Sequence, residues 1–420
     1  MPNLPGHRHC TACMACVDAC SYGALFVEES PDGFARVRRR AEKCVACGKC
    51  EKVCPVKNSS VHGTNHIPSP VFPKVAWSRD AVLREQSSSG GIFAELARMM
   101  LKQGGVVAGA RLDGTRVRHA LVEMDCDLPM LQGTKYMWSD ATGIYSKVRL
   151  HLRCGRPVLF SGTPCQTAAM TLSCTPQERQ HLLTVDLVCH GVPSRCIWDW
   201  FAESHPRISR ICSFRDKQDG WRNSFAMTCE TEDGKRLRVA GLADSYTRLF
   251  LADLALRPAC YRCPFAGLHR ISDLTLADAW GVKEHREEER LGMSLVLCHT
   301  KKGKAALQRC SVVCHSAVWL PVLQANPRIY DGSCLYRYHP ARLLLRHPGG
   351  LSVPSLRRIF QRRFRGQPKW GLQSLPLAMM TFFLSRLIRL RGRIRSARLN
   401  RLLQQNERKA ISMNTKENDS

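Results

Sequence analysis

One cysteine pattern occurs twice near the N-terminus of this 420-residue chain and constrains its fold more than any other feature. Both copies have the spacing C-x2-C-x2-C-x3-C, and the second begins 34 residues after the first. The cysteines are Cys10, Cys13, Cys16 and Cys20, followed by Cys44, Cys47, Cys50 and Cys54. Eight thiolates at this spacing are typical of the ligands of two 4Fe–4S clusters. We therefore expect this stretch to fold around metal clusters and to carry single electrons.

The spacing also predicts how the cysteines are shared between the clusters. In such repeats the first three cysteines of each copy hold one cluster, and the fourth reaches across to the other. One site is therefore predicted from Cys10, Cys13, Cys16 and Cys54, and the other from Cys44, Cys47, Cys50 and Cys20. Paired zinc sites are the alternative, but zinc motifs seldom use three thiolates at this spacing. Residues 1–60 are predicted to form a ferredoxin-type domain, with a β-hairpin from residues 25–28 and 34–37 around a Pro-Asp-Gly turn.

The rest of the chain divides into three parts by composition and periodicity. Residues 61–74 are rich in Pro, Ser, Gly and Asn, which predicts a linker. Residues 75–345 alternate short apolar runs with helical stretches, so the predicted fold class is a multidomain α+β or α/β chain with a mixed α/β second domain. Strands are predicted at 105–112, 119–124, 157–160, 184–189 and 294–298, and helices at 92–102 and 144–152. Residues 346–420 are predicted to form a basic amphipathic helical tail with a disordered end.

Positive charge is concentrated in this tail. The formal net charge of the chain is +28, and residues 351–420 contain 16 basic and 3 acidic side chains. Arginines alternate with apolar residues there, which is typical of a helix on an anionic membrane surface or against a partner; a solvated extension packed on its own domain is an equal alternative. The charge does not predict nucleic-acid binding, because no recognised nucleic-acid-binding motif accompanies it.

The 22 cysteines are interpreted as metal ligands and ordinary thiols rather than as disulfides. The first ten residues contain no apolar segment of a signal peptide, and the chain has no run of about 18 apolar residues. We therefore expect a cytoplasmic protein, with peripheral contact to the inner face of the membrane as a further option through the tail.

Polar turns in the second domain are candidate cofactor contacts. Residues 87–91 (SSSGG) precede an apolar helix, where hydroxyls and glycines offer donors to an anion such as phosphate, although plain helix capping explains them equally well. Cys165 follows a predicted strand, Cys189 ends another, and Cys260 and Cys263 form a C-x2-C motif. These four are compatible with zinc, a redox disulfide or a third iron–sulfur cluster, and the spacing alone does not choose. The other ten cysteines of this domain are predicted to be ordinary, mostly buried residues.

Seven consecutive motifs resemble the coenzyme F420 hydrogenase/dehydrogenase beta-subunit family. They are SSSGGIF (87–93), QGTKY (132–136), VLFSGTPCQ (158–166), DLVCHGVPS (186–194), FRDKQDGW (214–221), CYRCPF (260–265) and DLTLADAWG (273–281). The resemblance implies a flavin, usually FAD, beside a 4Fe–4S cluster. It also implies that the flavin exchanges hydride with an organic substrate or a deazaflavin-like cofactor, while the clusters carry single electrons.

The resemblance further implies roles for individual residues. Cys165, Cys189, Cys260 and Cys263 are implied as ligands of a third 4Fe–4S cluster. Flavin contacts are implied for Ser88, Ser89, Gly90, Gly91, Gly133, Thr134, Lys135, Gly162 and Thr163. Arg215, Asp216, Lys217 and Trp221 are expected to line the flavin or substrate side, and Asp278 and Trp280 are expected beside the cluster. The candidates for a catalytic role are Lys135, His190 and Lys217, with a solvated lysine as the alternative for Lys135 and a histidine bonded to backbone as the alternative for His190.

The predicted function is an iron–sulfur flavoprotein oxidoreductase with an unidentified organic substrate. Its electrons are expected to come from a ferredoxin- or flavodoxin-type carrier, which positive charge near the ferredoxin-type domain would attract, or from a partner redox subunit. The alternative is a non-catalytic electron-transfer subunit of a larger redox complex, with a link to polysaccharide biosynthesis that some similar chains suggest.

Overall fold

The computed structural model describes residues 2–58, 71–203, 205–239, 245–251, 253, 256–268 and 270–330. Most of the predicted linker and the whole predicted basic tail, residues 346–420, lie outside these residues. The first strand of the second domain, Pro73–Ser78, begins inside the predicted linker. This strand forms because it pairs with two strands from residues 294–298 and 312–316, and local composition cannot reveal such distant partners.

Strands and helices are interspersed along the chain. The strands are β1 Leu25–Glu29, β2 Ala35–Arg39, β3 Pro73–Ser78, β4 Val106–Asp113, β5 Arg116–Val122, β6 Ser139–Asp140, β7 Val158–Gly162, β8 Leu182–Leu187, β9 Ile208–Ser213, β10 Met227–Thr231, β11 Arg236–Val239, β12 Leu274–Asp278, β13 Ser294–Cys298 and β14 Val312–Ser316. The helices are α1 Ala15–Asp18, α2 Lys49–Lys52, α3 Ala81–Gln86, α4 Ile92–Lys102, α5 Ile144–Arg153, α6 Pro164–Ser173, α7 Pro176–Gln180, α8 Arg195–Glu203, α9 Ser245–Leu251, α10 Lys301–Gln308 and α11 Trp319–Ala325. Elements β1, β2, α1 and α2 lie in the N-terminal domain and the others in the second domain. The expected mixed α/β architecture is confirmed.

The predicted secondary structure differs from the observed one mainly at element ends. Helix α4 and strand β13 have their predicted bounds. Strand β8 ends at Leu187 rather than at residue 189, so Cys189 lies in the following loop and not in the strand. Strand β5 begins at Arg116 rather than at residue 119 because it pairs with β4 from the pair Asp113 and Arg116 onward.

A nine-stranded mixed sheet forms the centre of the second domain. The strand order is β14-β3-β13-β12-β8-β7-β4-β5-β6. The four central strands β12, β8, β7 and β4 are parallel, and β13, β3 and β14 continue the sheet antiparallel on one side. The loops that follow β7, β8 and β12 therefore open at the same edge of the sheet, which is where open α/β sheets bind their ligands.

The two faces of this sheet are covered by helices because apolar residues alternate along the strands. On β7, Leu159 packs with the apolar side of α4, whereas Val158 and Phe160 pack with α5 and α6 on the other face. All three side chains are fully buried. No helix in the described part of the chain has the length and apolar character needed to cross a membrane.

The N-terminal cysteine-rich segment packs directly against the second domain. The Tyr145 hydroxyl of α5 donates to the Cys13 carbonyl at 2.6 Å, and Trp138 Nε1 donates to the Ala12 carbonyl at 3.0 Å. Strands β1 and β2 form the predicted antiparallel hairpin, and its turn also docks: the Arg195 N–H donates to the Gly33 carbonyl at 2.9 Å. Backbone groups of the cysteine loops thus find their partners on the second domain.

Gly33 at this turn allows the close approach. Its backbone is left-handed, with φ +70°, and a Cβ there would lie 2.6 Å from Ser194 Oγ and 2.7 Å from the Cys196 nitrogen. Gly23 is also left-handed, with φ +59°, but a Cβ there would have no atom within 4 Å. Both glycines therefore need a left-handed backbone, but only Gly33 also lies in close contact with the second domain.

We predict that Gly33→Ala destabilises the chain more than Gly23→Ala does. Both changes impose a left-handed alanine, which costs about 1–2 kcal/mol, but only the first also pushes the hairpin away from the second domain. Thermal unfolding and amide hydrogen exchange of the hairpin, measured anaerobically on both variants, test this. Equal losses in the two variants would mean that the hairpin does not depend on this contact.

Candidate functional site

The eight N-terminal cysteines separate into two groups. Cys20, Cys44, Cys47 and Cys50 line one small cavity. In the other group, Cys10 and Cys54 act most strongly on Cys16, with a smaller effect from Cys50, and Cys13 interacts with Cys10 and Cys16. Cys20 therefore lies with the second copy of the motif and Cys54 with the first, which is the crossed arrangement expected from the spacing. We call these groups the distal site (Cys20, Cys44, Cys47, Cys50) and the inner site (Cys10, Cys13, Cys16, Cys54).

The backbone of the two cysteine loops follows the same path. Ala12 and Ala46, at equivalent places in the two copies, are left-handed with φ of 55° and 52°. Met14 and Gly48, also equivalent, have φ of 66° and 73°. Left-handed alanine and methionine are uncommon because of the Cβ, and such turns curl the backbone around a bound group. Three thiols from each curled loop, together with the fourth thiol from the other copy, fit a 4Fe–4S cluster.

The four predicted cysteines of the second domain also come together. Cys165 lies in the first turn of α6 after β7, Cys189 follows β8, and Cys260 and Cys263 lie in or next to the 3-10 helix Pro258–Arg262. All four line one cavity of about 40 Å³, which we call the third site. The parallel pairing of β7 with β8 brings the first two cysteines together.

Burial dominates the acid–base behaviour of these thiols. It raises the pKa of Cys263 to about 12 and that of Cys260 to about 11. Burial also raises the pKa of Cys189 well above its usual range, with help from the three neighbouring thiolates. Bringing four buried thiolates together therefore requires positive charge, which the irons of a cluster supply. Among the described residues, no three His, Cys, Asp or Glu side chains are grouped to hold a single metal ion.

A larger cavity of about 290 Å³ adjoins the third site at the same edge of the sheet. Eight of the nine predicted flavin contacts line it: Ser88, Ser89, Gly91, Gly133, Thr134, Lys135, Gly162 and Thr163. Thr11 and Cys165 line both this cavity and the third site. We call it the main cavity.

Gly90 is the predicted contact that does not line the main cavity. A Cβ at this position would lie 2.4 Å from the Ala76 carbonyl of β3 and 2.7 Å from the Ser294 nitrogen of β13. Gly90 is therefore needed because its loop packs on the sheet, and its expected role as a flavin contact is replaced by a packing role.

The polar groups of the main cavity suit an anionic, partly aromatic cofactor. The N-terminus of α4 opens into it, with Gly91 as an N-cap that offers no side-chain partner to the helix N–H groups. Gln132 Nε2 is buried on the cavity wall and has no hydrogen-bond partner among the described residues. An unpaired buried donor is costly unless a ligand accepts from it. These features, together with the largely apolar walls of the cavity, fit a flavin nucleotide.

His119 lines the same cavity, although the sequence analysis did not identify it. Its Nδ1 lies 2.8 Å from Ser139 Oγ and its Nε2 lies 3.2 Å from the Ser161 carbonyl, so Nε2 carries the hydrogen of the neutral ring. Burial lowers its pKa to about 4. A single histidine in a strand gives no motif, so only its position opposite Ser161 reveals its place in the site.

The three catalytic candidates have different surroundings. Lys135 lines the main cavity, where its Nζ donates to the carbonyls of Leu131 and Gln132 at 2.8 and 2.7 Å, and burial lowers its pKa to about 7. The solvated-lysine alternative is therefore wrong for Lys135. Its ammonium holds the end of the 3-10 helix Asp125–Met130 beside the glycine turn.

Lys217 and His190 do not line the main cavity. The Lys217 ammonium donates to three carbonyls, those of Arg84, Ser89 and Leu291, and so holds the serine-rich loop in place. His190 Nε2 contacts the Phe250 carbonyl at 3.1 Å and lies 2.8 Å from the Asp253 carboxylate. The contact of His190 with the backbone agrees with the alternative given for it in the sequence analysis, whereas the three carbonyl partners of Lys217 were not predicted.

Arg215 is the member of the FRDKQDGW motif that reaches the main cavity. It forms an ion pair with Asp278, whose other oxygen accepts from Trp221 Nε1 at 3.1 Å. Trp221 stacks on Trp280 with ring centroids 4.3 Å apart. Asp278 therefore belongs to the wall of the main cavity, and neither it nor Trp280 lines the third site, where they were expected. Asp216 instead pairs with Arg238.

A second large cavity, of about 310 Å³, lies between the β1–β2 hairpin and the second domain. It shares four lining residues with the main cavity: Val117, Met137, Trp138 and Val192. Its other walls include Arg116, Arg118, Arg195 and Arg257 together with Glu29, Asp113 and Asp140. We call it the side cavity. No sequence motif indicated it, because it exists only where the two domains meet.

The remaining cysteines of the second domain are less buried than predicted. Among those described, Cys174 and Cys229 are buried, whereas Cys126, Cys154 and Cys314 are exposed; Cys334 lies outside the described residues. The expectation of mostly buried thiols is therefore wrong. Cysteine tolerates both environments, so residue type does not predict its exposure.

We predict that His119→Gln makes the protein less sensitive to acid. The folded-state pKa of about 4 lies below the ordinary value of 6.5, so the unfolded chain binds a proton that the folded chain does not bind. Stability contributed by neutral His119 is therefore lost as the pH falls from 6.5 towards 4. The melting temperature of the wild type should fall more steeply over this range than that of the variant, and parallel curves would contradict the prediction.

Comparisons with known proteins bear on both domains. Two curated relatives, the archaeal-type glutamate synthases (NADPH) of Thermotoga maritima and Thermotoga sp. (strain RQ2), are each 33% identical to this chain over 86 residues. The match covers 20% of this chain, which spans only 16% of the length of those relatives. A chain from the solved F420-reducing NiFe hydrogenase complex of Methanosarcina barkeri is 18% identical, with a TM-score of 0.42, over 62% of this chain and 89% of that chain.

Family models match the two regions that contain the cysteine sites. Residues 9–58 match the 4Fe-4S dicluster domain, and residues 155–313 match the C terminus of the coenzyme F420 hydrogenase/dehydrogenase beta subunit. The resemblance seen in the sequence motifs is confirmed. The match to the beta-subunit family covers less than half of the chain and lies in the second domain, and the dicluster match adds the N-terminal cysteine region.

Proposed function

We propose that this chain is an iron–sulfur flavoprotein oxidoreductase that connects an electron carrier to an organic substrate. Its electron path runs through the distal site, the inner site and the third site to a flavin, proposed to be FAD, in the main cavity. Bound there, the flavin would exchange hydride with a substrate and single electrons with the adjoining cluster. The iron–sulfur part of the proposal rests on the dicluster domain at residues 9–58.

One observation supports the path more than any other: the inner site, the third site and the main cavity are neighbours in space, in that order. Cys13 of the inner site interacts electrostatically with Cys165 of the third site. Cys165 in turn lines the main cavity, and Thr163 Oγ1 lies 3.2 Å from its sulfur. A single residue, Cys165, thus has the inner site on one side and the flavin position on the other.

The main cavity has two ends with different chemistry. Thr11, Ala12, Cys165 and Trp138 form the end beside the cysteines, and the α4 N-terminus with the serine-rich loop forms the other. We place the redox-active ring at the cysteine end and the nucleotide phosphates at the helix end, where N–H groups favour anions. Gln132, Arg215 and Lys135 then supply donors along the cavity.

The side cavity supports a catalytic role over the alternative of a relay subunit. It shares Trp138 and Val192 with the cysteine end of the main cavity, so a molecule in it would lie beside the proposed ring position. Its four arginines and three carboxylates favour a polar organic substrate. Deazaflavin-type coenzymes and polysaccharide precursors are both polar organic molecules, so both are candidate substrates.

Electrons are proposed to enter at the distal site because it lies at the surface. Of the eight N-terminal cysteines only Cys47 is exposed, whereas Cys13, Cys16 and Cys54 of the inner site are buried. Tyr22 and Val45 expose 53% and 56% of their surface around the distal site. An apolar centre with a charged rim is the usual composition of an interface between proteins.

The rim of this surface is basic. Lys43 and Lys49 are exposed beside the distal cysteines, and Arg39 and Arg40 are exposed at the end of β2. Glu42 is the exposed carboxylate within the same stretch, residues 39–49. The net positive charge supports an acidic ferredoxin- or flavodoxin-type carrier as the partner.

The composition test uses Cys189→Ser and, as its matched control, Cys196→Ser. Cys189 lines the third site, whereas Cys196 is half-buried nearby and does not line it. We expect about twelve irons and one flavin per wild-type chain, about eight irons in Cys189→Ser and an unchanged count in Cys196→Ser. Iron, sulfide and flavin are measured on the same anaerobic samples. About eight irons and no flavin in the wild type would remove the third cluster and the enzyme assignment.

The carrier test reverses two charges on the basic rim. We expect Lys43→Glu with Lys49→Glu to slow reduction by an acidic two-cluster ferredoxin at least about tenfold at low salt, because electrostatic steering of this size is typical. The control pair, Lys102→Glu with Lys147→Glu, makes the same charge change at exposed positions in α4 and α5. Reduction by dithionite should be equal in all proteins. Equal ferredoxin rates in both double variants would exclude this surface as the entry point.

A further inference from the structure

A buried arginine lies between the inner site and the third site. Arg257 is 2% exposed. Its Nη2 donates to the Ala35 carbonyl of the hairpin at 2.7 Å, and its guanidinium lies over the Phe34 ring at 5.2 Å from the centroid. Its Nε is buried and has no hydrogen-bond partner among the described residues. The side chain therefore extends from the second domain into the ferredoxin-type domain.

The backbone of Arg257 is attached to the third site. The Cys260 N–H donates to the Arg257 carbonyl at 2.9 Å, and the Arg257 N–H donates to the carbonyl of Val192, which lines the third site, at 2.8 Å. The thiolates that act electrostatically on its guanidinium are Cys10 of the inner site and Cys260 and Cys165 of the third site. One cation thus interacts with both groups of sulfur atoms.

Other arginines near the third site have their charge compensated. Arg270 and Arg328 line the third site, and they lie in ion pairs with Asp186 and Asp253. No such ion pair is found for Arg257 among the described residues. A guanidinium remains charged in proteins, and burying a cation without a balancing charge destabilises the fold. The Asp32 carboxylate acts on it less strongly than the three thiolates, so the main balancing negative charge is that of the sulfur ligands and the groups they bind.

We propose that Arg257 raises the reduction potentials of the clusters on both of its sides and so sets the electron equilibrium between the two domains. Each reduction adds one electron to a cluster that four thiolates already make anionic, and no proton or covalent bond changes. A fixed cation beside both clusters stabilises the reduced state of each. For the third cluster this inference rests on the proposed function, whereas for the inner cluster it needs only the dicluster domain.

The test compares Arg257→Met with Arg257→Lys in the full-length, anaerobically prepared protein. Redox titrations followed by electron paramagnetic resonance give the midpoint potential of each cluster. In Arg257→Met we expect the inner and third clusters to become harder to reduce, with the equilibrium constant for reduction lowered about tenfold, which is about 59 mV for one electron. The distal cluster should keep its potential, and Arg257→Lys should restore most of the loss because it keeps the charge.

Two further variants separate this role from a structural one. Arg84→Met removes another buried arginine, one paired with Glu288 in the second domain, and should leave all cluster potentials unchanged. Arg257→Gln keeps a donor for the Ala35 carbonyl but loses the charge, so it should shift the potentials as Arg257→Met does and serves as the test if Arg257→Met does not fold.

Unchanged inner-site potentials in a folded Arg257→Met or Arg257→Gln protein would overturn the proposal. An equal shift of the distal cluster would also overturn it, because that result indicates a general change of the ferredoxin-type domain. A wild type without a third-cluster signal would contradict the proposed function instead, and the inner-cluster shift would still decide the role of Arg257.

Discussion

The parallel pairing of β7 with β8 is the constraint on which the candidate site depends. Neighbouring strands lie about 4.8 Å apart, so the loops that leave their carboxyl ends must share the same space. This pairing brings Cys165 and Cys189 into one cavity although 23 residues separate them. Strand β12 extends the parallel set by one and carries Asp278 to the wall of the main cavity. The cysteine cavity and the larger cavity therefore adjoin because their loops arise from consecutive parallel strands.

Docking of the ferredoxin-type domain on this edge has a second physical basis. The short cysteine loops leave backbone carbonyls that their own domain does not satisfy, and the second domain supplies donors from Tyr145 and Trp138. Buried carbonyls without partners are costly, so these hydrogen bonds fix how the two domains fit together. They also place Thr11 between the cysteine groups and the main cavity, where it lines both the third site and that cavity.

Sequence reasoning succeeded where the chemistry is local and failed where it depends on distant partners. The two cysteine motifs predict the crossed grouping, because the spacing itself carries that information. The motifs likewise indicated residues of the main cavity, since eight of the nine predicted flavin contacts line it. The motifs did not distinguish residues that face the cavity from those that support it: Gly90 packs on the sheet, and Lys217 holds a loop through three carbonyls. His119 carries no motif, and the side cavity exists only after the domains dock.

Burial along the proposed path has an electrostatic consequence that cysteine spacing does not contain. Cys47 of the distal site is exposed, whereas three of the four inner-site cysteines are buried and desolvation is the main influence on the third-site thiols, and burial disfavours any added negative charge. Burial alone would therefore make the inner clusters harder to reduce than the distal one and would favour electron flow towards the surface. Groups of the second domain oppose this effect: the Thr163 hydroxyl at 3.2 Å from Cys165, and the charge of Arg257. The cysteine motifs therefore supply the ligands of the clusters. The polar residues of the second domain that surround the clusters decide the direction in which electrons prefer to move.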